Sequence, residues 1–525
     1  MLKTRKIVRI NRFIIFIPLL GIPLLVIAAD VPTENPVERY DISWTNEIKW
    51  NNTIDISAVE GKDWHDKLDR LQNALADSGG GVIYFPAGRY VFRKPILLRN
   101  GIILRGESPI QSKEAKSENY ILKTIFEFPK YIPIFEEKGT PKDTGFKGIH
   151  LAYPDKASNC GLVNLYINRG HIYFAQGDKA KNRLVYGCIL QNAALMDEKV
   201  PDISIGQKPW QRFTKWHQAA IHIYVRSNAL VANNRLPKST DSFLQKGYVL
   251  KGRGKDKGKP VVIDEGVWFD YDNRPGICVN AYCIGGAGGR DPKGTPQTHP
   301  EGFATGLIIR DNYVYSTGRT AIEFTGDGTI CSFNIIRFKP NVVRWTNTGI
   351  QMASGSSTND NRAITMRGWR YTVEGNDYLS YRNLAGKGPY YINDGEGLMH
   401  EGHCNSTIRD SQIINNKGNA YLSIYQTAGI DGLLIQGNDI RPEGPGVDTK
   451  ISSIFVVTNR SNDTHPCKNV KIVGNITAGS GIKMAGSPGV NNVVKDNRNI
   501  GKLGTIYNWA NAATENNSNY EIRIK

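Results

Sequence analysis

Two acidic residues, Glu323 and Glu401, stand in similar local patterns, Ala321-Ile322-Glu323-Phe324-Thr325 and Gly397-Leu398-Met399-His400-Glu401. In both, the second and fourth members face one way along a β-strand and the third and fifth the other. Ala220 to Tyr224, Gly349 to Ala353, Tyr421 to Tyr425 and Gly481 to Ala485 repeat the pattern. If such strands stack in parallel, about 4.8 Å apart, their outward residues form one stripe. His222, Tyr224 and Arg226 then share a rung, Glu323 and Asp327 the next recognised one, followed by Gln351, by Glu401 with His403, and by Tyr425 and Lys483. Asp394 and Glu396, in Asn393-Asp394-Gly395-Glu396-Gly397, lie beside it.

Paired carboxyls are what cleavage of a glycosidic bond by water requires: one protonates the leaving oxygen, the other activates water or attacks. Glu323 and Glu401, two recognised rungs apart, have backbones roughly 10 Å from each other. Long side chains could bring the carboxyls into the inverting range of about 6.5 to 9.5 Å. Glu323, Asp327 and Glu401 are therefore the expected acid and base groups. His222, Arg226, Arg319, Gln351, Asp394, Glu396, His403 and Tyr425 are the expected substrate-binding set. Elimination at a uronate is the competing chemistry, with Arg226, Arg319, His222, His403 or Tyr425 as base or cation. No cofactor is required by either route; Asp394 and Glu396 could hold Ca²⁺, a cation that prefers oxygen ligands. A third reading is a glycan-binding protein without catalysis. Trp369 and Tyr371 are among the rings that could serve as sugar platforms.

The elements that must position these residues repeat. Leu307 to Asn312, Tyr371 to Asn376, Leu433 to Asn438, Val470 to Asn475 and Val493 to Asn497 are apolar strands ending in Gly-Asn or Asp-Asn, with Ile408-Arg409-Asp410-Ser411 as a variant. Such self-similarity marks a solenoid. Asparagine tolerates positive φ, so the repeated Asn is expected at a left-handed bend, stacked on its counterparts in neighbouring coils. Near the start, Trp64, Leu68, Leu71 and Leu75 have helical spacing, and Ser78-Gly79-Gly80-Gly81 ends that helix.

Gly79 to Tyr90 (GGGVIYFPAGRY) and Ile96 to Glu107 (ILLRNGIILRGE) resemble the N-terminal coils of the pectate-lyase-like β-helix superfamily. The resemblance implies an all-β chain, a single-stranded right-handed parallel β-helix with a short capping helix. It also implies a carbohydrate-active protein, in a group that includes lyases, glycosidases, epimerases and phage tailspikes. Neither a complete lyase signature nor the tandem aspartates of polygalacturonases can be carried over. The expected organisation is a signal peptide at 1–29, a linker at 30–46 and the β-helix at 47–525. Within the last, 47–110 forms the cap and first coils, and 238–301 and 382–396 are inserted loops walling a groove.

The signal peptide is read from Lys3, Arg5, Lys6, Arg9 and Arg12 followed by apolar Phe13 to Ala29. It predicts a secreted or periplasmic protein without stable membrane association. Removing those five basic residues lowers the formal charge from +17 to +12, a field that attracts anions. No nucleic-acid-binding signature accompanies the charge, so the expected partner is an anionic polysaccharide, bound by a monomer. The seven cysteines are odd in number and fit no zinc spacing; buried free thiols are expected.

Overall fold

Short runs alternating one apolar with one polar or small residue cannot bury themselves alone, and here they do so by winding. The computed structural model describes residues 31–129, 148–152, 157–174, 180–193, 219–238, 240, 303–316, 320–338, 362–381, 396–401, 407–427, 429–442, 452–458 and 466–524. Isolated strands are described at 18–19, 22–23, 242–245, 267–270, 277–279, 343–346 and 349–352. The signal-peptide reading otherwise falls outside the described residues, and no described helix is long and apolar enough to cross a membrane.

Each turn of the winding contributes a strand to each of three faces. The first runs from Ile96–Leu98 to Tyr520–Ile524, the second from Thr53–Asp55 to Ala513–Glu515, and the third from Gly88–Val91 to Arg498–Ile500. Every pairing along them is parallel, as in Ile221–Ile223 with Ile277–Val279 and Thr320–Asp327 with Arg362–Trp369. On the first face the inward residues Ile322, Ile364, Leu398, Leu422, Ile454, Ile482 and Ile506 are register partners in succession and fully buried. Each contributes about 1.5–3 kcal/mol of burial, so the core is a continuous rod and the register is fixed along it.

The helix Trp64–Asp77 closes the N-terminal end. The Asp63 side chain accepts from the Asp66 amide, and Leu68, Leu71 and Leu75 are buried in the same core as Ile83 and Phe85. The helix stops where Gly79 and Gly80 take φ of 80° and 105°. Val37 and Trp44 of the stretch read as a linker, with Ile48 and Trp50 just after it, pack on the second face, buried against Val82, Ile103, Val163 and Leu230. Buried Arg105 holds this segment through the Glu34 backbone oxygen at 2.8 Å and the Glu34 carboxylate.

Asparagines set the bend between the second and third faces. Asn234, Asn312, Asn334, Asn376, Asn416, Asn438, Asn475, Asn497 and Asn517 form one ladder, each backbone and side-chain N–H donating to the next Oδ1. Stacking matches the expectation, but the left-handed residue is the one before. Asp311, Gly375, Gly437, Gly474 and Asp496 have φ of 56–64°. The ladder asparagine is reserved for hydrogen bonding, and its predecessor turns the chain. The ladder member of the coil containing Ile408-Arg409-Asp410-Ser411 is Asn416, beyond the end of that strand.

Candidate functional site

The first face carries an outward column in register: Tyr173, His222, Glu323, Thr365, Met399, Ser423, Phe455, Lys483 and Tyr507, with the Cys278 backbone as register partner between His222 and Glu323. His222 and Glu323 thus share a column, with the rung Ile277–Val279 between them. That rung comes from within 238–301, which also contains the antiparallel hairpin of Ser242–Gln245 with Val267–Asp270. Within the stretch expected as a loop, Ile277–Val279 is therefore a rung of the coil.

Outward residues were expected to meet solvent, yet His222, Glu323 and Asp327 are buried. The reason is lateral packing. The His222 ring lies edge-on to Tyr173 at 5.2 Å and tilted against Tyr224 at 4.9 Å. Burial pushes its imidazole down to about 3, so it is neutral near pH 7. Glu323 accepts from Arg367 Nη1 at 2.5 Å, both side chains nearly inaccessible. Asp327 accepts from Arg370, a left-handed residue at the next turn.

Arg367 escaped the sequence reading. It belongs to Arg362–Trp369, the rung on which Ile364 and Thr365 are partners of Ile322 and Glu323. Gln351 was expected in that place. Gly349–Met352 instead pairs antiparallel with Val343–Thr346 and lies in neither of the large sheets. The missed signal was Ala363-Ile364-Thr365-Met366-Arg367, which has the same alternation as Ala321 to Thr325.

Glu401 ends the following strand, Glu396–Glu401, with its backbone opposite Tyr425. Met366 partners His400, so the Glu401 backbone is in line with Arg367, two rungs or roughly 10 Å from the Glu323 strand. Glu396 opens the same strand opposite Arg362 and Tyr421. Arg226 is exposed, past the end of Ile221–Ile223 in the turn to the second face. Arg319, Asp394 and His403 lie outside the described residues, as do Cys283 and Cys404.

Trp369 and Tyr371, expected as platforms, are buried. Trp369 packs edge-on to Phe303 under the Arg409 guanidinium at 4.1 Å. Tyr371 points into the core, its hydroxyl 3.2 Å from His400 Nδ1. Cys160, Cys188, Cys331 and Cys467 are buried free thiols. No group of three metal-ligating side chains occurs among the described residues.

Residues 50–146 match the family model described as rhamnogalacturonase A/epimerase, pectate lyase-like. No curated protein matches the sequence. Among solved structures, the mannuronan C-5 epimerase AlgE6 A-module of Azotobacter vinelandii is 11% identical, covering 89% of this chain and 99% of that one, with a TM-score of 0.36. The tailspike of E. coli bacteriophage HK620, a double mutant, is 11% identical over 87% of this chain and 71% of its own, at 0.43. The catalytic unit of a GH87 α-1,3-glucanase from Streptomyces thermodiastaticus is 12% identical over 89% and 69%, at 0.38. Its own parallel winding and helical cap make this chain a right-handed parallel β-helix, whose first coils are similar to the pectate-lyase-like family model.

Proposed function

We propose that the chain is an exported enzyme that hydrolyses an acidic polysaccharide with inversion at the anomeric carbon. The observation that carries this reading is the buried Glu323–Arg367 ion pair on an outward strand position, with the Glu401 backbone one rung further on in line with Arg367. Shutting two charges away from water costs several kcal/mol each before their attraction repays it, and a well-packed apolar pair would often stabilise the fold as well. Such a pair is better accounted for by a site than by surface decoration. Glu401 protonates the departing glycosidic oxygen, and Glu323, oriented by Arg367, takes a proton from the attacking water. Asp327, fixed by Arg370, is the second candidate base. The family match and the basic charge agree with a carbohydrate substrate bearing acid groups.

Elimination at a uronate is the second reading, with the exposed Arg226 beyond the His222 strand as a cation for the sugar carboxylate. Incubation with polygalacturonate, alginate and hyaluronate separates the two. New saturated reducing ends are expected; ultraviolet-absorbing unsaturated ends would mean a lyase, and no products from any acidic polymer would remove catalysis. Glu323→Gln and Glu401→Gln should each lower the rate at least a hundredfold, and full activity in both would remove the chosen pair. A chelator should leave the rate unchanged, since the chemistry proposed needs no Ca²⁺.

A further inference from the structure

The outward column that carries Glu323 continues beyond it. Past Ser423 come Phe455, Lys483, Tyr507 and Arg523, each the register partner of the one before. Trp509 follows Tyr507 by two residues and is tied to the preceding coil by its amide, which donates to the Met484 carbonyl at 2.9 Å. Phe455, Lys483, Tyr507 and Trp509 are partly accessible, and Arg523 is exposed, in contrast to the buried groups around Glu323.

The contacts among them are specific. Lys483 Nζ stands 5.3 Å from the Phe455 ring centre and 4.6 Å from that of Trp509. Tyr507 and Trp509 meet edge-on at 5.7 Å, and the Arg523 guanidinium lies 6.0 Å over Tyr507 while pairing with Glu521 at 2.6 Å. Two aromatic faces hold the ammonium between them, which fixes a flexible side chain as a point charge.

We propose that Phe455, Lys483, Tyr507 and Trp509 form a remote binding strip for the chain of an acidic polysaccharide, four to six rungs from Glu323 on the same face. Successive rungs are about 4.8 Å apart, so the strip begins roughly 19 Å from Glu323, several sugar units along an extended chain. Aromatic rings offer flat apolar area for the C–H faces of sugars, and Lys483 supplies the counter-charge for a carboxylate or sulfate. The strip and Glu323 belong to one continuous register column on the same face. The identity of the polymer as acidic rests on the function proposed above; the strip itself rests on the geometry of these four residues.

Retardation of the whole protein in gels containing polygalacturonate, alginate or hyaluronate, with neutral dextran as control, tests the strip separately from catalysis. Wild type and Glu323→Gln should be retarded alike by at least one acidic polymer, and not by dextran. Trp509→Ala and Lys483→Gln should each weaken that binding at least fivefold with an unchanged melting temperature, and added salt should weaken it further. If the wild type yields products but Trp509→Ala and Lys483→Gln bind as it does, the strip is overturned while the proposed function stands. Retardation lost in both variants, from a protein that makes no products, would uphold the strip and overturn the catalysis. Equal retardation by dextran, or none by any acidic polymer, would overturn the strip.

Discussion

Arg367 Nη1 lies 2.5 Å from Glu323 Oε1, although the two residues are 44 positions apart in the chain, and both side chains are nearly inaccessible. Removing one member of such a pair strands the other charge, at a cost of about 3–5 kcal/mol. Arg367→Ala should therefore unfold at markedly lower denaturant than wild type. The double variant Glu323→Gln/Arg367→Met, which strands no charge, should recover most of that loss while remaining inactive. Equal destabilisation of single and double variants would mean that the pair does not act as a unit.

Within the ladder, Asn376 accepts from the Asn334 amide and side chain and donates to the Cys331 carbonyl and to Asn416 Oδ1. Alanine there leaves a buried amide and a buried carbonyl without these partners, each worth about 1–3 kcal/mol. Asn376→Ala should lower stability by about 2–4 kcal/mol in urea unfolding. A change below about 0.5 kcal/mol would show that backbone pairing alone holds the coils in register.

The ladder and the core rod were legible because both come from one coil's own residues: a period of two, closed by Gly-Asn or Asp-Asn. Which member of the dipeptide takes positive φ was not, since asparagine suits both the left-handed bend and the hydrogen-bonding place after it. Gly349–Met352 misled for a related reason. Alternation reports that a strand has two unlike faces and says nothing of its partner's direction, so a hairpin strand and a rung look alike. Burial of Glu323 was equally hidden, because it depends on Arg367, whose proximity exists only once the coils are stacked. The accessible aromatics at Phe455 and Tyr507 lay in plain view, but only the register brings them into the Glu323 column.

One coil breaks the rule for the turning residue. Phe333 takes φ of 55° in the place where its neighbours have Asp311 and Gly375, and it is 40% exposed. A left-handed backbone costs a residue of this kind roughly 1–2 kcal/mol, partly offset by the Arg310 guanidinium 5.5 Å over its ring. Phe333→Asn should raise the melting temperature. Gly375→Ala should lower it, because the residue has φ of 61° and a Cβ there would meet the Phe333 ring at 2.6 Å. A fall in the first variant would mean that the ring's contacts outweigh the backbone strain.

Acid should weaken the first face through its histidines. Burial lowers both His150 and His222 from about 6.5 to about 3, so each is neutral in the folded protein across the range in which the unfolded chain takes up a proton. Above pH 6.5 neither state is charged and the difference contributes nothing. As pH falls from about 6.5 toward 3, the unfolded state alone gains the proton, and stability drops by up to about 1.4 kcal/mol per pH unit for each histidine. Melting temperatures measured from pH 7 to pH 4 should therefore decline, and less steeply in His222→Phe, which cannot titrate. The slope is the relevant quantity, because phenylalanine can shift the whole curve by altered packing against Tyr173 and Tyr224 without changing its dependence on pH. Parallel curves for wild type and variant would show that His222 does not resist protonation in the folded protein.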